Sequence, residues 1–173
     1  MAKRFCRVLV DLNCCYECTY CCNKIDGIMD KFVDIEREEY EDIIHKYDAV
    51  CLSGGEPLMP SNIWKTQHLA EKAKWYSKKV YVYTNLHYMP NRQLIHMVDG
   101  WSVGFHPSQT AIDDFVIRIQ RMVAVGAKGV RVMVEKDKVE TLNDLIGLVE
   151  IKTWEMNKCD KTDIEDWYKI VNT

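Results

Sequence analysis

The sequence predicts an α/β fold: a partial (β/α) barrel of about five to six parallel strands with helices outside. Three observations carry this. Short runs rich in Val and Tyr alternate with helical patterns five times in succession, which implies a parallel sheet with its crossovers outside. At 173 residues the chain is too short for a closed eight-stranded barrel of about 250 residues. No fixed-period repeat, low-complexity segment or Pro/Gly linker interrupts it, so residues 1–173 read as a single core domain, with 157–173 a possible C-terminal helical tail.

The elements follow in order. "FCRVLVDLN" (5–13) reads as the first strand. "DIEREEYEDIIHKY" (34–47) reads as a helix, because Tyr40, Ile43, Ile44 and Tyr47 fall on one face. "AVCLSGG" is a strand running into glycines, and residues 62–78 form a helical segment. "KKVYVYTN" is a strand, "NRQLIHMV" a short helix, and "GWSVGFHPS" a strand that stops at a proline. Residues 111–126 give the cleanest helix: Ile112, Phe115, Val116, Ile119, Met122 and Val123 fall in step and Gly126 caps it. "KGVRVMVEKD" is a strand. "TLNDLIGLVEIKTWEM" reads as a helix with Leu142, Leu145, Ile146 and Val149 aligned. "DIEDWYKIV" near the end has Ile164, Trp167, Tyr168 and Val171 at helical spacing.

Composition narrows the function. Hydrophobic residues make up 47% and charged residues 28%, which suits a packed core rather than a disordered chain. A net charge of −3 gives no global argument for nucleic acid or an anionic membrane. No apolar run approaches the ~20 residues of a membrane helix, and the first residues read as a strand rather than a signal peptide. The expected location is the cytoplasm. There, clustered cysteines favour metal binding or catalysis over disulfides.

Five of the eight cysteines lie in nine positions, "CCYECTYCC", directly after the first strand. Loops after strand C-termini are where α/β proteins place their chemistry. Cys14-x3-Cys18-x2-Cys21 is the only register that gives this spacing, and it leaves Cys15 and Cys22 outside. Three thiolates in one loop can hold three irons of a cubic cluster and leave the fourth open, whereas most such clusters have four cysteines. A zinc site is the alternative and would recruit Cys15, Cys22 or a histidine. Cys6 and Cys51 fall inside strands and suit buried positions; Cys159 is isolated.

"NCCYECTYC" resembles the signature loop of the radical S-adenosylmethionine (AdoMet) superfamily, and "LSGGEP" (52–57), ending the second predicted strand, resembles its Gly-Gly-Glu motif. Two glycines permit close backbone approach, and a neighbouring carboxylate can accept charge-assisted hydrogen bonds from an ammonium. The resemblance spans roughly residues 5–150. It implies a [4Fe–4S] cluster held by Cys14, Cys18 and Cys21, which would be both metal ligands and catalytic residues. The open iron would be chelated by AdoMet. It further implies Tyr20 near the adenine, and Gly54, Gly55 and Glu56 at the methionine amino end. Thr84, Asn85 and Ser102 would lie near the carboxylate or ribose, and Val132 and Met133 beside the adenine. His87, His106 and Glu135, with Tyr88, Gln109 and Asp137, are candidates to touch the substrate.

The implied reaction is reductive cleavage of AdoMet to a 5′-deoxyadenosyl radical that abstracts hydrogen from a small-molecule or nucleotide-like substrate. A flavodoxin- or ferredoxin-type reductant would supply the electron. Two alternatives stand beside it: an activating enzyme that installs a glycyl radical on a protein partner, and a non-enzymatic iron–sulfur or zinc module. The chain departs from many relatives in its shorter core, the absence of a second cysteine cluster, and the extra Cys15 and Cys22.

Overall fold

The structure, a computed structural model, describes residues 4–19, 21–154 and 165–171. Its centre is one eight-stranded sheet in which every neighbouring pair is parallel. The strands are β1 (Phe5–Leu9), β2 (Val33–Glu36), β3 (Ala49–Ser53), β4 (Lys79–Thr84), β5 (Gly100–Gly104), β6 (Val130–Glu135), β7 (Glu150–Trp154) and β8 (Glu165–Val171). The spatial order is β2-β8-β1-β3-β4-β5-β6-β7. The edges do not meet, so the barrel is open, and the predicted class holds. The five strands predicted from sequence sit side by side as β1-β3-β4-β5-β6, and β2, β7 and β8 extend them at both edges.

Strand alternation divides the sheet into two faces. One face carries Cys6, Val8, Val50, Leu52, Val80, Val82, Trp101, Val103, Val130, Val132 and Val134, all buried in the core beneath the helices. Cys51 is also buried. The helices are α1 (Tyr40–Ile44), α2 (Ile63–Trp75), α3 (Arg92–Met97) and α4 (Ile112–Ala124). α4 buries Phe115, Val116, Ile119 and Met122, the stripe its spacing predicts. It ends in a Schellman turn: Gly126 has φ +100°, Gly126 N–H donates to Val123 O (2.9 Å) and Ala127 N–H to Met122 O (3.0 Å). Asn91 caps α3 by accepting from Leu94 N–H at 2.8 Å.

Three predicted helices are corrected. Residues 34–47 split into β2, a 3-10 turn (Arg37–Glu39) and α1. The Glu36 backbone N–H donates to the Glu39 carboxylate at 2.7 Å, completing a capping box that starts the helix late. The predicted buried face, Tyr40, Ile43, Ile44 and Tyr47, is present. Residues 141–156 are not one helix. A 3-10 segment (Lys136–Leu145) buries Leu142 and Leu145, Gly147 at φ +82° breaks it, and "EIKTW" becomes β7 along the open edge of β6. In place of the expected helical stripe, Ile146 is exposed.

The tail is the third correction. Glu165–Val171 is a strand, inserted between β1 and β2 with hydrogen bonds on both sides. Ladder pairing on two edges and the β-forming Trp167, Tyr168, Ile170 and Val171 outweigh a helical spacing of four residues. Residues 157–164 of the predicted helical tail lie outside the described residues.

Candidate active site

The site forms where β1, β3, β4 and β5 end. Beyond β1 the pairing with β3 continues: Val10 N–H donates to Ser53 O, Gly55 N–H to Asp11 O and Glu56 N–H to Asn13 O, each at 2.8 Å. This approach explains both glycines. A Cβ on Gly54 (φ +145°) would stand 2.2 Å from Asp11 O, and one on Gly55 2.1 Å from Asn13 O. "GGEP" thus seats itself against the segment that leads into the cysteine loop. Asn23, just after that loop, adds a side-chain N–H donation to Gly54 O at 3.1 Å.

Glu56 is 1% exposed. Its Oε1 accepts from Leu58 N–H (2.9 Å) and Thr84 Oγ1 (2.6 Å), and its Oε2 accepts from Asn85 N–H (2.7 Å). Burial raises its pKa, and the three hydrogen bonds oppose that rise without cancelling it. One carboxylate therefore joins the end of β3 to the end of β4. The Thr84 hydroxyl also accepts from Leu86 N–H (2.9 Å), and Leu86 sits at φ +55°. Arg118 from α4 holds this turn by donating to Leu86 O (3.2 Å) and His87 O (3.0 Å).

Cys14, Cys18 and Cys21 line one cavity of about 330 Å³, together with Gly54, Gly55, Thr84, Asn85, Ser102, His106 and Met133. Ten of the residues singled out from sequence thus share one space. Cys15 is not in that lining; its Sγ accepts from Asn85 Nδ2 at 3.6 Å. Cys14 Sγ accepts from Tyr16 N–H (3.4 Å) and Asn85 Nδ2 (3.8 Å), and although the residue is exposed, partial desolvation of its thiol pushes the pKa up to about 11. His106 Nδ1 lies 3.7 Å from Cys18 Sγ, its ring packed where Gly104 lacks a side chain. Burial pushes the His106 pKa down to about 4.

Other predicted residues stand elsewhere. Val132 points into the helix-side core, away from the cavity, because it alternates with the inward-facing Met133. Glu56, His87 and Glu135 do not line the cavity. His87 Nδ1 is 3.3 Å from Tyr16 Oη, and Glu135 pairs in register with Trp154 at the β7 edge. Tyr20 and the side chain of Cys22 lie outside the described residues.

Sequence reasoning passed over Tyr16, which anchors the cysteine loop. Its hydroxyl meets Thr110 Oγ1, and its ring packs edge-on to His87 (5.4 Å) and His106 (5.7 Å). An aromatic two residues after the first loop cysteine was the available signal. It also passed over Arg7, Ser53, Tyr83 and Trp167, which line the same cavity.

The donor set fits an iron–sulfur cluster: three soft sulfur ligands from one loop face one partly apolar space beside glycine backbone. Among the described residues, no three His, Cys, Asp or Glu side chains form a ready site for a single metal ion. A cluster spaces its thiolates by the width of the cube, so the two observations are compatible.

The chain resembles Streptococcus suis SuiB, solved bound to the precursor peptide SuiA, with a TM-score of 0.63 at 13% identity. The match covers 88% of this chain and 40% of SuiB, so the chain spans less than half of that protein's length. The two share a fold. A candidate dihydrodipicolinate synthetase from Pseudomonas aeruginosa aligns with 98% of this chain and 71% of its own, at 11% identity and a TM-score of 0.41, too low to bear on the argument. No protein-family model and no curated protein matches the chain. Among the described residues, no helix is long and apolar enough to cross a membrane.

Proposed function

We propose that the chain is a radical AdoMet enzyme, with residues 1–173 forming its core domain. The observation that carries the reading is the shared cavity: Cys14, Cys18 and Cys21 face the glycines of "GGEP" and the ends of β4 and β5 across it. When bound, a reduced [4Fe–4S] cluster and AdoMet supply the radical chemistry: one electron breaks the sulfonium C–S bond, giving methionine and a 5′-deoxyadenosyl radical that takes hydrogen from the substrate.

The residues of this chain bind, orient and exclude water. Cys14, Cys18 and Cys21 hold three irons. Gly54 and Gly55 offer backbone to the methionine end of AdoMet. Glu56, buried behind the cavity wall, aligns Thr84 and Asn85, which line it, and so supports the AdoMet amino end through them. Asn85, Ser102 and Met133 form walls for the ribose and adenine, and Tyr20 is assigned to the adenine. Val132 backs Met133 from the core. Tyr16 and His106 hold the cysteine loop in place.

The substrate is a small molecule or nucleotide-like compound that takes the part of the cavity left free by the cluster and AdoMet. A flavodoxin- or ferredoxin-type protein would supply electrons. The test is electron paramagnetic resonance of the anaerobically reconstituted, dithionite-reduced chain. Addition of AdoMet is expected to change the cluster spectrum. An unchanged spectrum at saturating AdoMet would contradict an open iron.

A further inference from the structure

At the floor of the same cavity, on the inward face of β1 and two residues before Leu9, the register partner of Ser53, stands Arg7. Its guanidinium donates twice to Glu165 of β8, from Nε to Oε1 (3.0 Å) and from Nη2 to Oε2 (3.4 Å). It also lies over the rings of Tyr83 (4.6 Å) and Trp167 (5.5 Å). These contacts fix the plane of the fork. A guanidinium has five N–H groups and Glu165 takes two, so the outer edge remains for another acceptor.

The surroundings add donors rather than acceptors. Among the described residues, the Ser53 hydroxyl and the Trp167 indole N–H are buried without a hydrogen-bond partner, and both residues line the cavity. A pair serving only to staple β8 to β1 does not need this place. Arg4–Asp166 already joins the same strands at the surface, with side chains 63% and 39% exposed, against 19% and 12% for Arg7–Glu165. Replacing a buried ion pair by apolar side chains is often neutral or stabilising, so its position inside a ligand-sized space points to recognition.

We infer that Arg7 is a substrate-binding residue, selecting a small, neutral, planar molecule that presents a carbonyl oxygen. The flat faces of Tyr83 and Trp167 match a ring. The Arg7 edge matches the carbonyl. Glu165 already balances the charge of Arg7, so a carboxylate brought here would bury an excess negative charge, and a neutral carbonyl would not. The inference rests on the proposed radical AdoMet reading for what happens next: the ring is held on the floor while the reactive chemistry sits at the cysteine end.

The test is calorimetric titration of the anaerobically purified full chain with three bicyclic probes. 2-Quinolone is expected to bind at least tenfold more tightly than quinoline, which lacks the carbonyl, and than 2-naphthoate, which carries the charge. Arg7→Met is expected to erase the preference for 2-quinolone over quinoline, and Arg7→Lys to weaken it. Quinoline within twofold of 2-quinolone on the wild-type chain, or tighter binding of 2-naphthoate, would overturn the inference without any variant. An Arg7→Met chain that melts lower but keeps the preference would return the pair to a purely structural role. Normal AdoMet cleavage with no 2-quinolone binding would overturn this inference alone. Probe binding without AdoMet cleavage would overturn the proposed function alone.

Discussion

The two ends of the cavity are built differently. At the mouth, backbone does most of the work: β1 and β3 keep pairing past their ends, two glycines permit that contact, and Glu56 ties in Thr84 and Asn85. At the floor, long side chains do it. Arg7 meets a glutamate 158 positions away and packs over two aromatic rings. A mouth set by backbone spacing suits cofactors whose shape does not vary. A floor set by side chains can be altered one residue at a time, and substrate choice belongs there.

The largest expected effect separates the cysteines at the mouth. Cys14→Ala, Cys18→Ala and Cys21→Ala are each expected to abolish a cluster of about four irons and four sulfides per chain. Cys15→Ala, whose thiol sits against Asn85 outside the cavity lining, is expected to retain it. Iron and sulfide analysis after anaerobic reconstitution checks this; the reverse pattern for Cys14 and Cys15 would shift the register.

Next comes Glu56. Gln in its place keeps the shape, but its NH2 replaces one acceptor oxygen and sets a donor against either Asn85 N–H or the Leu58 N–H and Thr84 hydroxyl. Stability in urea is expected to fall by about 1–3 kcal/mol, and AdoMet affinity by about 1.5–3 kcal/mol, with cluster content unchanged. The pH dependence sharpens the point. Burial raises the Glu56 pKa in the folded chain, so its protonated form is favoured by folding. The stability this contributes is full at low pH and is lost as pH rises from the ordinary glutamate value through the raised one. Glu56→Gln is expected to lack that decline. A variant with wild-type stability and AdoMet binding would reduce "GGEP" to a simple turn.

A smaller effect is expected from Arg118→Ala, which releases the Leu86 and His87 carbonyls. A loss of about 1 kcal/mol, with faster amide exchange confined to residues 84–88, would mark the turn as held from α4. At the far edge, Arg131 and Glu150 form an exposed pair at 2.7 Å. Arg131→Ala is expected to change stability by less than about 0.5 kcal/mol, and a larger change would mean that the β7 edge matters more than this account allows.

The mouth was legible in the sequence because its residues are contiguous. "NCCYECTYC" and "SGGEP" each hold their geometry within a few positions, and each follows a strand whose apolar run is plain. The floor was not. Arg7 sits inside "FCRVL" with no local sign of its partner, and Glu165 and Trp167 lie on a segment whose spacing suggests a helix. Only β8 pairing with β1 brings them together. The same limit explains Val132: a one-residue step along a strand exchanges core for cavity, and the motif gives no register for β6. The glycine pair at 54–55 has a second reason that the motif alone does not show: the atoms that would meet a Cβ there belong to Asp11, Leu12 and Asn13.

The most direct test of the central claim is product formation. The reconstituted chain, reduced with dithionite and given AdoMet, is expected to form 5′-deoxyadenosine and methionine in equal amounts, slowly without substrate. Cys18→Ala is expected to form neither. Substrate deuterated at the reacting carbon should pass deuterium into the 5′-deoxyadenosine. A fully loaded, reduced cluster that leaves AdoMet intact would contradict the account and make this chain an iron–sulfur protein of another kind.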